Sequence, residues 1–583
     1  MRLVFDIETD GLLRGLSVIH CIVARDLDTN QEHRFEPHQI KEGLQLLQQA
    51  DELWGHNIIG YDLEAIREIH PEWTTKAKPF DTLILSRLFF TDLLDRDFRS
   101  KPANMPGNLY GRHSLEAWGH RLSVHKSEFG KQLDGDWSTY SPEMLEYCAQ
   151  DVTVSVEVVR MFEPKLEQYA TCIDTEHRLA TIMSWQEREG FPFDVQGAQQ
   201  LESKLRTELD ALSDQMRSTF LFVDGGTFTP RRDNGPQGYV KDAPMCKLKE
   251  FNPTSRHHIA WAFQQFRDWK PKEFTDSGKP KIDEPTLRGI GTDEANAFAR
   301  ILELQKHLGQ VAEGKNAWLK QEHKGRIHHS CILNTVSGRQ AHLRPNIAQV
   351  PSDPEYRVLF GPGPGRVQVG ADASGLELRC LGAYLSRFDG GKFAKEVVEG
   401  DIHTTLADIY GTDRKSGKGV TYCLIYGGGD VKLGLTAGAP KSQAAKKGKE
   451  IRNRIMKDLD GFAELSAAIQ KRAATGVLKG LDGRPIRIGS KAHAATNYLL
   501  QSAGACICKS WLLRSYELLD EAEIDYWPLA FVHDELQISV APEHADKAMF
   551  LITAAMKDVQ HTYKFRCELD SEAQKGNSWA DCH

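Results

Sequence analysis

The sequence predicts an α/β domain at the N-terminus, then a helical arm, then an α+β unit whose strands are separated by a helical insertion. Three observations carry this. Residues 1 to about 165 combine an alternating strand, Leu3-Val4-Phe5-Asp6-Ile7-Glu8, with helical patterns. From about 165 onwards amphipathic helical stretches dominate. Two apolar strand patterns, Val367-Gln368-Val369 and Leu529 to Ile538, each meet an acid, and the sequence between them is largely helical.

A chain of 583 residues is too long for one core, so three or four domains are expected. With 40% hydrophobic and 26% charged residues, the composition is that of a soluble globular protein. No apolar run is long enough to span a bilayer, and MRLVFDIETDG lacks the layout of a signal peptide. A cytoplasmic protein with no membrane partner is expected. The 11 cysteines are scattered, and Cys506 with Cys508 lacks zinc-type spacing, which points to reduced thiols. A net charge of −8 counts against a passive nucleic-acid coat. It is compatible with an enzyme that holds divalent ions on acids and clusters its cations locally. Lys441 to Lys457 is one such basic run, which a solvated helix face explains equally well.

In the first strand a period of two places Asp6 and Glu8 on one face. Two like charges there repel, so a cation between them is the economical explanation; a solvent-facing edge strand is the alternative. Trp54-Gly55-His56-Asn57 follows, and Tyr61-Asp62 opens a helical stretch with Leu63 and Ile66. A further helix is predicted from Ser141, with Ser141 as cap, Pro142 at the first position and Glu143 at the positive end of the dipole. Tyr147 and Asp151, four apart, share a face of it.

In this order, DxE, Asn57 to Asp62 and YxxxD resemble the DEDD 3′–5′ exonucleases of the proofreading type, in the subclass with a tyrosine. The resemblance implies that Asp6, Glu8, Asp62 and Asp151 hold two Mg²⁺ ions and that Tyr147 helps orient the attacking water. Hard cations of this kind prefer carboxylate oxygens.

Two amphipathic helices are predicted over Glu176 to Glu189 and Gln196 to Phe220, and a third over Asp293 to Gln321. Such an arm suits a rod-shaped ligand, or serves as an inert linker. The Gly/Pro-rich, basic stretch from Leu221 to Asn252 is predicted to be a mobile loop. GPGPG at 361–365 makes a hard turn into the strand that reaches Asp372, after which Ser374 and Gly375 lead into a helix from Leu376-Glu377-Leu378.

Arg414, Lys418, Tyr422 and Tyr426 are spaced by four, so they span a stripe of about 120° on a helix. Two cations followed by two aromatics suit a nucleoside triphosphate, although a half-buried amphipathic face has the same look. Leu529 to Ile538 reads as a β-hairpin with His533, Asp534 and Glu535 at its tip. Folding Asp534 towards Asp372 gives a second two-carboxylate site.

DASGLELR, RxxxKxxxYxxxYG and VHDE, in this order, resemble the three polymerase motifs of family A (polymerase I-like) DNA polymerases. GDIHT (400–404), LDGR (481–484), NxLLQSAGA (497–505) and a terminal WxxCH (579–583) are similar to the replicative polymerases of T-odd-type phages. The resemblance covers nearly the whole chain. It implies a ribonuclease H-like α/β exonuclease domain (1–165) followed by a right-hand polymerase. The latter would comprise a helical thumb (166–325, with a short loop at 221–252), an α+β palm (326–374 and 498–583) and helical fingers (375–497). It implies that Asp372 and Asp534 hold two Mg²⁺ ions, with Glu535 as a supporting acid near the primer. Arg414, Lys418 and His403 would contact the incoming dNTP. Glu377 would disfavour a ribose 2′-hydroxyl, Tyr422 would meet the sugar, and Tyr426 would stack near the nascent pair. Arg339, Asn497, Gln501 and His533 match residues placed along the minor groove, where acceptors are similar for every correct pair.

The implied partners are primer-template DNA and dNTPs, with a phage helicase-primase and a single-strand-binding protein. The phage relatives bind host thioredoxin through a long basic thumb insertion. Here the matching stretch is short, so thioredoxin is not expected as a partner. A monomer is expected. The chain opens directly on DIET without a 5′-nuclease domain, which weakens the repair-polymerase reading. The readings left open are a replicative phage polymerase with proofreading, a gap-filling repair polymerase, and a nuclease with a non-catalytic DNA clamp.

Overall fold

The computed structural model describes residues 1–124, 137–275, 277–489 and 492–582, so His583 of the terminal motif lies outside the described residues. The chain forms two compact units. One contains Met1–Phe191, His329–Pro351 and Gly361–His583; the other contains Pro192–His328 and Ser352–Phe360.

The first unit opens with a five-stranded sheet of order β3-β2-β1-β4-β5. Its strands are β1 (Arg2–Thr9), β2 (Ile19–Asp26), β3 (Glu32–Phe35), β4 (Glu52–Gly55) and β5 (Lys78–Asp81). β1 pairs antiparallel with β2 and parallel with β4. Both faces of β1 are covered. Leu3, Phe5 and Ile7 pack with Leu44, Ile58, Leu63 and Ile66, whereas Val4 packs with Trp54, Met144, Cys148 and Val152. Alternation therefore places Asp6 and Glu8 on the Val4 face, beneath the helix Pro142–Phe162. Ser141 caps that helix by accepting from the Met144 amide at 3.3 Å, and Pro142 takes the first turn.

Further along the same unit a four-stranded antiparallel sheet runs in the order Tyr526–Val532, Glu535–Val540, Val367–Ala373, Ser571–Gly576. Val369, Ala371, Leu536, Ile538 and Val540 share a core with Trp511 of the helix Ala495–Glu521 and with Ile552 and Met556 of the helix Ala545–Tyr563. Seven helices lie between Leu376 and Ala473. The stretch is largely helical, as expected, with one short hairpin added, Val477–Lys479 with Pro485–Arg487. Its Leu478 and Ile486 are buried between less buried neighbours, a strand alternation too short to stand out in the sequence.

The second unit is built on the helices Val195–Phe220, Arg256–Phe266 and Asp293–Leu308, around Met216, Phe220, Phe251, Phe263, Phe298 and Ile301. Two expectations fail here. The stretch 221–252 is a two-stranded ribbon rather than a loop, with Phe222–Phe228 antiparallel to Met245–Glu250. Val223 anchors it in the core, and Lys247 lies 4.8 Å from the Phe228 ring centre. The helix expected to reach Gln321 stops at Leu308; a wide π turn over Gly309–Glu313 and a short helix Trp318–Gln321 replace its end. A side chain at Gly314 would lie 2.4 Å from the Gly309 carbonyl, so only glycine permits this tight return. Among the described residues no helix is long and apolar enough to cross a membrane.

Candidate active sites

The first site lies at the C-terminal end of β1. Asp6, Glu8 and Cys148 bring ligand atoms within 4.8 Å of one another. The Cys148 thiol donates to the Asp6 carbonyl at 3.4 Å, which seats the 142–162 helix on the strand. Asp62 begins the helix Asp62–Ile69, is buried, and accepts at 3.3 Å from the amide of Ile7, the residue that separates Asp6 and Glu8 in sequence. Asp151, also buried, lies one helical turn beyond Cys148, and Tyr147 has its ring 5.9 Å from that of Trp137. Burial, with Asp81 adding repulsion, pushes the Asp62 carboxyl up to about 7. Asp6 and Glu8, held this close, suit a divalent cation, which removes their mutual repulsion.

Sequence reasoning missed the group that shapes this site. Asp81 accepts backbone hydrogen bonds from Asn57 at 2.9 Å, Ile59 at 3.1 Å and Leu83 at 2.9 Å. It thereby holds the left-handed Asn57 (φ 71°) and the turn that delivers Asp62. His177 in turn accepts from the Asp81 amide at 2.8 Å. The available signal was Phe80-Asp81-Thr82, an acid between a strand and a helix, where a cap belongs.

The second site is built from two distant segments. Asp372 ends the strand Val367–Ala373, which Gly375 (φ 58°) turns into the helix Leu376–Leu385. Asp534 lies at the two-residue tip between Val532 and Glu535, where His533 has φ 59°. The Ala373 amide donates to the Asp534 carbonyl at 3.0 Å, tying the tip to the strand end beside Asp372. Glu535 and Glu572 stand opposite Asp372 on its two neighbouring strands. Like charges so placed destabilise a sheet unless a cation joins them. Burial, then Glu377, raises the Asp534 carboxyl. Glu535 is buried and bonded to Gln537 at 2.7 Å and to the Trp579 indole, so it braces the sheet from inside.

Around these acids the fold gathers most of the expected contact residues. Arg339 donates to Glu377 at 3.0 Å, and the Tyr426 hydroxyl donates to the same oxygen at 2.6 Å. The Tyr422 and Tyr426 rings stack at 6.3 Å, and His403 lies 6.5 Å from Tyr422. Asn497 donates to the Tyr426 carbonyl at 3.3 Å. Gln501, half-buried, lies one turn further along that helix. Arg414, Lys418 and Tyr422 lie on the helix Arg414–Ile425, which Tyr426 caps. Arg414 is ion-paired with Asp401 at 2.8 Å, which holds the Asp401 carboxyl well below the usual carboxylate range. Asp401 itself caps the helix that carries His403, a link not seen in the sequence. Burial and Arg339 hold His533 below the ordinary histidine pKa.

An acid pair, Asp372 and Asp534, beside a cation–aromatic helix suits the class of enzymes that transfer nucleotides with the help of divalent ions. Residues 239–581 match the profile of DNA polymerase family A. The DNA-directed DNA polymerase of Enterobacteria phage T3 is 32% identical over 100% of both chains, and that of Escherichia phage T7 is also 32% identical over 100% of both. DNA polymerase I of Aquifex aeolicus is 24% identical over 77% of this chain and 78% of its own. In fold, the chain is similar to the POL domain of Pol1 from M. smegmatis in complex with DNA primer-template and dNTP. That match has a TM-score of 0.73 and 15% identity, covering 99% of this chain and 96% of the other. The chain belongs to DNA polymerase family A. Its activity is template-directed DNA synthesis.

Proposed function

We propose that this DNA polymerase replicates a phage genome and proofreads its product with a 3′–5′ exonuclease on the N-terminal, ribonuclease H-like domain. The observation that carries the proofreading half is Asp62 bonded to the Ile7 amide, between Asp6 and Glu8, with Cys148 and Asp151 on the covering helix. These acids are separate in sequence from Asp372 and Asp534, and the pair Asp6 and Glu8 with Cys148 is close enough to share an ion. The full-length match to phage polymerases supports the replicative reading over gap-filling repair.

In this reading Asp372 and Asp534 hold two Mg²⁺ ions, and Asp6, Glu8, Asp62 and Asp151 hold two more. Bound there, the ions supply a lowered pKa to the attacking hydroxyl or water and charge stabilisation to the leaving group. Lys418 and His403 meet the triphosphate, together with Arg414 once it exchanges Asp401 for phosphate. Tyr422 lies against the sugar. Glu377, held by Arg339 and Tyr426, occupies the space below the sugar and excludes a 2′-hydroxyl. Arg339, Asn497, Gln501 and His533 read the minor-groove edge of the primer-terminal pair. Tyr147 orients water in the exonuclease site.

The test uses the purified chain, Mg²⁺ and a 5′-labelled primer-template. With dNTPs the primer lengthens; without them it shortens from its 3′ end. A primer left intact without dNTPs, on both single and double strands, would overturn the proofreading half.

A further inference from the structure

Beneath the turn that carries Arg339 lies a cluster of four buried charges. The side chains of Arg484 and Lys509 are 3% and 2% exposed, and those of Glu176 and Asp482 are 0% exposed. Three segments supply them. Glu176 comes from the helix Ala170–Glu189, Asp482 and Arg484 from the turn of the 477–487 hairpin, and Lys509 from the helix Ala495–Glu521. Lys509 donates to both Glu176 oxygens, at 2.7 and 2.9 Å. Arg484 pairs with Glu176 at 2.7 Å and with Asp482 at 2.6 Å. Two cations and two anions balance, which such complete burial requires. Burial would raise the Glu176 carboxyl, but Lys509 and Arg484 outweigh it and hold it below its ordinary value.

The fifth member is Asn334. Its side-chain oxygen accepts from Arg484 Nη1 and from Lys509 Nζ, each at 3.0 Å. Its backbone is left-handed, φ 64°, a conformation that a residue with a β-carbon keeps when its surroundings hold it. The next five residues form a tight turn. Thr335 donates to the Arg339 carbonyl at 2.9 Å, and Gly338 donates to that of Thr335 at 2.8 Å. A side chain on Gly338 would lie 2.9 Å from Arg484 Nη1, so the guanidinium is the floor of this turn. Arg339 leaves the turn to reach Glu377 at 3.0 Å. The helix that carries Lys509 also carries Asn497 and Gln501.

We propose that Glu176, Arg484, Lys509 and Asn334 are positioning residues for DNA synthesis. They clamp the base of the 334–339 turn and so set the aim of Arg339 at the Glu377 carboxylate and at the minor groove of the primer-terminal pair. This rests on the reading of Arg339 as a minor-groove contact. The guanidinium fork is what the clamp needs, because it bonds Asp482, Glu176 and Asn334 at once. A lysine at 484 would keep the charge and lose the geometry.

The test compares single-turnover extension of primers ending in dG or in 3-deaza-dG, which lacks the minor-groove acceptor N3 and keeps the N2 amino group. A charge-assisted hydrogen bond of ordinary strength makes the wild-type penalty for the deaza primer about tenfold or more. Arg339→Ala is expected to bring the ratio close to one. Arg484→Lys is expected to move it most of the way there, and the double variant to extend no more slowly than Arg339→Ala alone. A wild-type ratio in Arg484→Lys, or losses that multiply in the double variant, would overturn the clamp. A wild-type ratio in Arg339→Ala would overturn the reading of Arg339 and the clamp with it. Asn334→Gly, which keeps the left-handed backbone and removes the shared acceptor, gives the same comparison if Arg484→Lys does not fold. Its ratio is expected to fall likewise, and an unchanged ratio in this folded variant would overturn the proposal. A purely stabilising role would lower the melting temperature and leave the ratio alone.

Discussion

The two carboxylate centres are built in opposite ways. At the N-terminal centre the acids sit on one strand and on two helices packed against its sheet, and Asp62 and Asp151 are buried. At the polymerase centre Asp372 is exposed at a strand end, and its partner arrives on a hairpin tip from far along the chain. The first arrangement buries two of its four acids and leaves Asp6 and Glu8 half-buried. The second leaves Asp372 open to solvent beside a half-buried Asp534, which under the proposed function is the side where primer and triphosphate enter. The residues proposed to contact substrate there, Arg339, Glu377, Tyr426 and Tyr422, bond or stack with one another, so under that proposal the pocket is furnished before substrate arrives.

The sharpest way to break this comparison is to disable one centre and assay the other. Asp372→Asn is expected to lower primer extension about a thousandfold or more, since one fewer carboxylate holds the ions that stabilise the transition state. Its degradation of a primer without dNTPs should stay within about twofold, a margin expected of sites that share no partner. Extension near the wild-type rate would remove Asp372 from the chemistry. Asp6→Ala combined with Glu8→Ala is expected to cut single-strand degradation about a hundredfold or more. Gel assays of the same preparation should show extension intact; persistent degradation would place the nuclease elsewhere.

A smaller effect follows from the burial of Asp62. Its carboxyl sits near 7 in the fold, so lowering the pH through about 7 protonates it. Degradation at fixed Mg²⁺ should fall over that range, and added Mg²⁺ should move the midpoint to lower pH, because ion and proton compete for the same oxygens. A raised folded pKa also means that the fold binds the proton more tightly than the unfolded chain does. Metal-free stability contributed by Asp62 is therefore fully present below the unfolded pKa and lost as the pH rises through about 7, and Asp62→Asn should remove that slope from melting curves. The smallest effect is expected at Tyr422→Phe. Loss of one hydroxyl contact is worth roughly 1 kcal/mol, so rejection of dideoxynucleotides should strengthen about fivefold. An unchanged incorporation ratio would mean that the hydroxyl does not meet the sugar.

Much of the fold was readable because local chemistry and burial agree. The Ser141-Pro142 start, the β1 alternation and the Gly375 turn are written in neighbouring residues, and each stands where its pattern placed it. The ribbon at 222–250 was misread because glycines and charges hide its strand pairing, which only the partner strand reveals. The end of the 293–308 helix was misread because a wide turn keeps an apolar spacing close to that of a helix.

What the sequence determined alone was the inventory: which acids, which cation–aromatic stripe, and the order in which they occur. Helix and strand periods are short-range, so residues two or four apart declare their shared face without a partner. Only the tertiary structure decided which of these groups meet. Asp81 gathering the 57–59 amides, Asp401 holding Arg414, and Glu176 reaching Lys509 and Arg484 are contacts between segments distant along the chain. A buried charge must find its counter-charge wherever the packed chain brings one, and no local period encodes that choice.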